Sequence, residues 1–203
     1  YLKINNPKQI VMKKIILAAI AVMAFSFANA QETRFGVKGG LNISTVGGDA
    51  RNVSSLVGFH VGGFAEIKII EKLAIQPELL FSTQGAKEKF AGDKYNTNLN
   101  YINVPVLAKY YITNQFTVEA GPQIGFLVSA KSDGEDVKDF YRSVDAGFNI
   151  GAGYNFTENL SVGLRYYIGL SNVIDENYDD WDDYVDSYKV NNNVFSVSLA
   201  YKF

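Results

Sequence analysis

From Thr33 onward, alternate positions are apolar and the positions between them are polar or glycine, the period-two pattern of a strand with two unlike faces. The first run sets Phe35, Val37, Leu41 and Ile43 on one face and Arg34, Gly36, Lys38, Gly40 and Asn42 on the other. A second, over residues 56–69, opposes Val57, Phe59, Val61, Ala65, Ile67 and Ile69 to Gly58, His60, Gly62, Glu66 and Lys68. Six more runs follow, at residues 73–84, 100–112, 116–130, 141–156, 160–171 and 193–203. Each reaches the roughly 9 to 11 residues that a tilted strand needs to cross a bilayer.

The connections alternate in length. Short turns at residues 70–72, 113–115 and 157–159 are each followed by an apolar strand start, at Leu73, Phe116 and Leu160, which lie 43 and 44 residues apart. The repeating unit is therefore a pair of strands. Longer polar connections fall at residues 45–55, 85–99, 131–140 and 172–192. Tight turns at one end and long loops at the other predict an all-β fold, an eight-stranded antiparallel up-and-down barrel.

Alternation does not say which face meets water. The polar set decides it, because a solvated exterior favours many lysines and glutamates and few mid-strand glycines. Here glycine mixes with isolated charges of both signs: Arg34, Lys38, Lys68, Lys109 and Arg165 against Glu66, Glu78, Glu119 and Asp145, with His60 in the same register. These residues are predicted to form a charge network inside a narrow barrel, where eight strands leave just enough room for side chains. Each ion then needs a partner, since an unpaired buried charge costs several kcal/mol. The apolar set would face lipid, with Tyr110, Tyr154, Phe156, Tyr166, Tyr201 and Phe203 suited to the headgroup zone near strand ends. The competing arrangement is a soluble lipocalin-like carrier with the apolar set inside.

Residues before the first strand change the picture of destination. Met12-Lys13-Lys14, an apolar run over residues 15–25 and Ala28-Asn29-Ala30 have the three parts of a secretory signal peptide. Residues 12–30 are expected to be the cleavable signal, 1–11 an upstream overhang and 31–203 the barrel domain. The apolar run is shorter than the roughly 18 to 20 residues of a membrane-spanning helix. Lys3, Lys8, Lys13 and Lys14 precede residue 31 and every acid follows it, leaving 15 basic against 21 acidic residues in the barrel domain. That balance disfavours nucleic acid as a partner. The chain has no cysteine, which removes thiol chemistry, disulfides and a lipoprotein anchor.

Pro77, Pro105 and Pro122 fall inside predicted strands. A closed sheet has no edge to tolerate a missing N–H, so bulges or strand ends are expected near them. The same segments, Gln76-Pro77-Glu78-Leu79-Leu80-Phe81-Ser82 with Gly85, Tyr101-Ile102-Asn103-Val104-Pro105-Val106-Leu107 with Lys109-Tyr110, and Glu119-Ala120-Gly121-Pro122, resemble the PorT-like outer-membrane β-barrel family of Bacteroidetes-type bacteria. The resemblance spans about residues 35–203. It implies an outer-membrane barrel and makes the prolines family features. The founding member is linked to a protein-secretion apparatus, but no motif here carries that role over.

Little in the sequence points to catalysis. His60 is the only histidine, and no serine sits in a Gly-x-Ser-x-Gly turn. No cofactor is expected, since Gly39-Gly40 and Gly47-Gly48 do not complete a phosphate-binding pattern. The last long connection carries Asp175, Glu176, Asp179, Asp180, Asp182, Asp183 and Asp186 among Tyr178, Trp181, Tyr184 and Tyr188. It reads as a solvated outside loop or as a calcium site, although EF-hand spacing fails for want of a glycine at the turn. The chain ends on Phe203, with Tyr201, Leu199, Val197 and Phe195 at every second position before it. Tyr201 and Phe203 resemble the carboxy-terminal signal read by the barrel-assembly machinery. The expected surroundings are outer-membrane lipid and lipopolysaccharide, and the expected role is a scaffold with outside loops for envelope protein partners. A narrow channel or small-solute-binding barrel is the alternative.

Overall fold

A computed structural model describes residues 33–48, 53–90, 93–174 and 189–203. Eight long strands, β1 (Thr33–Gly48), β2 (Val53–Ile70), β3 (Leu73–Phe90), β4 (Asp93–Tyr111), β5 (Phe116–Ser132), β7 (Val144–Asn155), β8 (Leu160–Gly169) and β9 (Val190–Lys202), pair antiparallel in chain order. The sheet closes where β1 pairs with β9, from Gly36↔Lys202 to Gly48↔Val190. A two-residue strand, β6 (Glu135–Asp136), folds back on β5 and leads into a 3-10 turn, Lys138–Phe140. The result is the predicted up-and-down barrel, and closure leaves none of the long strands with an open edge.

The side chains are arranged inside out relative to a water-soluble barrel. Leu41, Val57 and Leu164 are 61%, 66% and 48% exposed, whereas Asn42, Glu78 and Asn149 are each 1% exposed. The apolar set of every long strand faces outward and the polar set faces the axis, which excludes the soluble carrier with an oily interior. Of the aromatics expected in the headgroup zone, Tyr110, Tyr154, Phe156, Tyr201 and Phe203 lie at the turn end, where Phe116, Tyr154 and Phe156 stack edge to face at 5.3 Å and Tyr201 meets Phe203 at 5.7 Å. Tyr166 lies farther along β8, opposite Ile150 and Phe195.

Three expectations need correction. Strands β3 and β4 continue in unbroken pairing from Gly85↔Asn98 to Phe90↔Asp93, through most of the stretch expected to be a long loop. Likewise β1 runs to Gly48 and β2 starts at Val53, so the connection expected at 45–55 is mostly strand. Alternation detects a strand only while its faces differ, and beyond the apolar band both faces are polar. Conversely, the strand expected from residue 141 begins at Val144, because Tyr141 leaves the ladder to bridge Ile174. The barrel rim is therefore uneven: β2 to β5 have 17 to 19 residues, and β7 to β9 have 10 to 13.

The prolines do not sit at bulges or strand ends either. Pairing between β2 and β3 skips Pro77 and resumes in the same register, Phe64↔Glu78 before and Ile67↔Ile75 after. Pro105 interrupts the β3–β4 ladder and Pro122 the β4–β5 ladder in the same way. Each missing N–H thus costs one short gap toward the preceding strand, while the other side of each proline stays paired, as in Pro77↔Val106, Pro105↔Gln123 and Pro122↔Phe148. The bulges lie elsewhere, between Ser55 and His60, Lys68 and Ile70, and Asn100 and Tyr101.

Candidate functional site

Space for long polar side chains comes from small neighbours on adjacent strands. Lys38 is flanked by Gly62 and Ala200, and Arg165 by Gly151 and Ser196. Both side chains can therefore cross the interior. Arg165 donates from Nη1 and Nη2 to the two oxygens of Glu78, at 2.8 and 2.9 Å, and its Nη2 also lies 2.6 Å from Glu119 Oε1. Lys38 Nζ donates to Glu78 Oε1 at 2.7 Å, and Gln76 Nε2 donates to the same oxygen at 2.6 Å. This four-charge cluster is neutral in sum. The forked guanidinium suits a bidentate carboxylate, which fixes both partners in place.

One layer toward the turns, Glu66 accepts from Lys109 Nζ at 3.0 Å, Lys202 Nζ at 3.2 Å and the Tyr111 hydroxyl at 2.6 Å. Gln76 links the layers, since its Oε1 accepts from Lys109 at 3.1 Å. Below it opens a vestibule of about 500 Å³ at the turn end, lined by residues that include Arg34, Lys68, Glu71, Lys72 and Glu158. Arg34 Nη2 lies 3.7 Å from the exposed Glu158 carboxylate.

Toward the loops uncharged polar side chains take over the interior, with Asp145 the carboxylate among them. His60 hydrogen-bonds Asn42 Oδ1 through Nδ1 at 2.8 Å and Ser198 Oγ through Nε2 at 2.9 Å. Because Asn42 Oδ1 accepts, Nδ1 carries the proton and Ser198 donates to Nε2. The ring lies over Gly40, where a Cβ would stand 1.9 Å from Val197 O and 2.8 Å from the imidazole. Ser198, His60 and Asn42 thus repeat the connectivity of a nucleophile, base and orienting amide. The adjoining cavity is only about 30 Å³, room for a water or two and not for a scissile group. Asp145 lies apart from all of these.

The ten residues assigned to one charge network are accordingly distributed. Lys38, Glu78, Glu119 and Arg165 meet in one cluster and Glu66 with Lys109 in a second; Arg34 and Lys68 line the vestibule, and His60 and Asp145 belong to neither cluster. Gln76, Tyr111, Ser198 and Lys202 were not singled out. Parity alone would have found all four, because Gln76 shares the face of Glu78, Tyr111 that of Lys109, and Ser198 and Lys202 alternate with the outward Val197, Leu199 and Tyr201. Among the described residues no group of three or more His, Cys, Asp or Glu side chains gathers as a metal cage. The acidic stretch from Asp175 to Asp186, and the segment expected to be the signal peptide, lie outside the described residues. At the carboxy terminus, Tyr201 and Phe203 face outward, and Phe203 N donates to Phe35 O at 2.8 Å.

Solved structures carry the same architecture. Neisserial surface protein A is 15% identical, with a TM-score of 0.59 over 85% of this chain and 100% of its own. Ail, the attachment invasion locus protein of Yersinia pestis in complex with the heparin analogue sucrose octasulfate, is 15% identical, with a TM-score of 0.51 over 85% of this chain and 99% of its own. At that identity the likeness concerns the fold. Comparison with curated proteins gives no match. A family model described as the outer membrane protein beta-barrel domain matches residues 27–175, most of the chain, and with a closed eight-stranded barrel whose oily face points outward, the chain belongs to that family.

Proposed function

We propose that this outer-membrane barrel is a non-conducting scaffold that anchors in the bilayer and offers its loop end to envelope or surface partners. The observation that carries this reading is the Arg165–Glu78 pair, braced by Lys38, Glu119 and Gln76 across the barrel axis. Passage of a hydrated ion past it requires separating buried charges, at several kcal/mol each. The tall wall of β2 to β5 favours a partner-facing loop end, and the fold shared with Ail, an attachment protein by its name, is consistent with such use. Export through residues 12–30, assembly through Tyr201 and Phe203, and lipopolysaccharide as a neighbour complete the reading. The PorT-like motifs suggest an origin within that group without assigning a secretion role.

The competing reading is a narrow channel or solute-binding barrel, favoured by the vestibule of about 500 Å³. Conductance across planar bilayers separates the two. The scaffold reading expects no steady unitary current from the purified, refolded protein; reproducible steps would replace it with the channel.

A further inference from the structure

The cluster of Lys38, Glu78, Glu119 and Arg165 is neutral, but the layer between it and the turns is not. Glu66 holds two ammonium groups, Lys109 at 3.0 Å and Lys202 at 3.2 Å, and accepts from the Tyr111 hydroxyl at 2.6 Å as well. That leaves the carboxylate little capacity for further donors. Lys202 is 5% exposed, and among the described residues its Nζ makes a single hydrogen bond, to Glu66, although an ammonium group has three donors to place. A buried cation with donors to spare favours an anion beside it.

Further cations converge on the same place. Arg34 pairs with Glu66 across the β1–β2 ladder, and Lys68 follows Glu66 by two residues on the same inward face of β2. Arg34, Lys68 and Lys202 all line the vestibule of about 500 Å³, with Glu66 at its inner wall and Glu71, Lys72 and Glu158 at its exposed rim. The Arg34 pairing with Glu158 spans 3.7 Å to a side chain that is 85% exposed, so water screens it strongly. With Lys109, which sits on Glu66 directly above, the described side chains here comprise five cations and three carboxylates, a surplus of two positive charges. Higher up, the Arg165–Glu78 pair crosses the axis and the cavity beside it is only about 30 Å³. The vestibule is therefore a blind pocket, reached from the turn end, which is the periplasmic side of an outer-membrane barrel.

We propose that this vestibule binds a dianionic phosphate group, free or carried as a monoester on a small solute, with Lys202, Arg34 and Lys68 as its cationic contacts. The surplus of two charges matches a dianion and exceeds the single charge of a carboxylate. Forked guanidinium donors and lysine point charges both suit phosphate oxygens. The volume falls within the usual range of small-ligand sites, about 300–1,000 Å³, so there is room for a solute as well as its phosphate. Because the interior is closed above, occupancy requires no conduction through the barrel.

Isothermal titration of the full-length mature protein, refolded in a non-ionic detergent and phosphate-free buffer, tests this with inorganic phosphate, glycerol 3-phosphate and acetate as probes. Saturable heat from both phosphates is expected, with affinity lowered by about tenfold or more in Lys202→Met and in Lys68→Gln. Tighter binding of glycerol 3-phosphate would support a phosphate carried on a solute, and tighter binding of inorganic phosphate would support the free ion. Lys202→Met leaves Glu66 its Lys109 partner, and Lys68 is half-buried, so both variants should fold, which heat-modifiable electrophoretic mobility checks. Lys131→Gln, at the opposite end of β5 from the turns, should bind as the wild type does. No saturable heat from either phosphate, acetate bound as tightly as phosphate, or equal affinities for wild type, Lys202→Met and Lys68→Gln would overturn the proposal.

Discussion

Arg165 on β8 and Glu78 on β3, 87 residues apart in the chain, meet across the barrel axis through two parallel hydrogen bonds of 2.8 and 2.9 Å. Their strands are not neighbours in the sheet, so no ladder brings them together. The pair is an internal strut that exists only when the barrel has closed with the right register.

Removing one end of the strut should therefore cost far more than removing both. Glu78→Leu or Arg165→Met alone leaves a buried charge unmatched and should lower unfolding stability by about 3–5 kcal/mol. The double variant should recover a large part of that loss. Urea unfolding in lipid vesicles, followed by tryptophan fluorescence and gel mobility, measures the cycle. Additive losses would show that the two side chains do not act as a unit.

Ser198 and His60 supply a milder case. Ser198→Ala removes the hydroxyl that donates to Nε2 and leaves the ring nitrogen buried without its partner. The expected loss is about 1–3 kcal/mol. Ser198→Thr, which keeps the hydroxyl, should lose less if the barrel has room for the extra methyl. The same urea assay decides, and an unchanged midpoint for Ser198→Ala would mean that the bond contributes nothing.

The terminal aromatics should matter to assembly and little to the finished barrel. Tyr201 and Phe203 lie on the outer face, 47% and 69% exposed to the surroundings of the barrel. The doubly substituted Tyr201→Ala, Phe203→Ala protein is expected to refold in detergent but to lose several-fold in yield when reconstituted assembly machinery inserts it into liposomes. Equal yields would remove these residues from the recognition signal.

Much of this architecture is legible in the chain. Val37, Leu41 and Ile43 against Lys38, Gly40 and Asn42 declare a two-faced strand, and the spacing of the short turns declares the hairpins. The 85–99 stretch was not legible, because Lys87, Asn96 and Asn98 lie where neither face is apolar and period two has no contrast to register. Phe64, Leu80, Leu99 and Leu107 break the polarity rule on the inner face, where their bulk fills the interior between polar layers. Opposite signs on one face could be seen in advance, but the choice of partners could not. Lys109 lies beside Glu119 in the ladder and yet bonds Glu66, because its long side chain reaches past β3 to β2, and such reach, not adjacency in the sheet, sets the pairing. That Asp145 is held by Ser171 and Asn192 is likewise a property of the closed barrel and of no local motif.

The direction in which the apolar face points can be measured site by site. With Trp181→Phe as background, single tryptophans at Val61, Leu164 and Val197 should be strongly quenched in vesicles of lipids brominated along the acyl chain, and tryptophans at Leu80 and Val194 on the inner face should not. Unquenched outer positions, together with a monomeric, folded protein in buffer free of detergent and lipid, would contradict a barrel bathed in hydrocarbon.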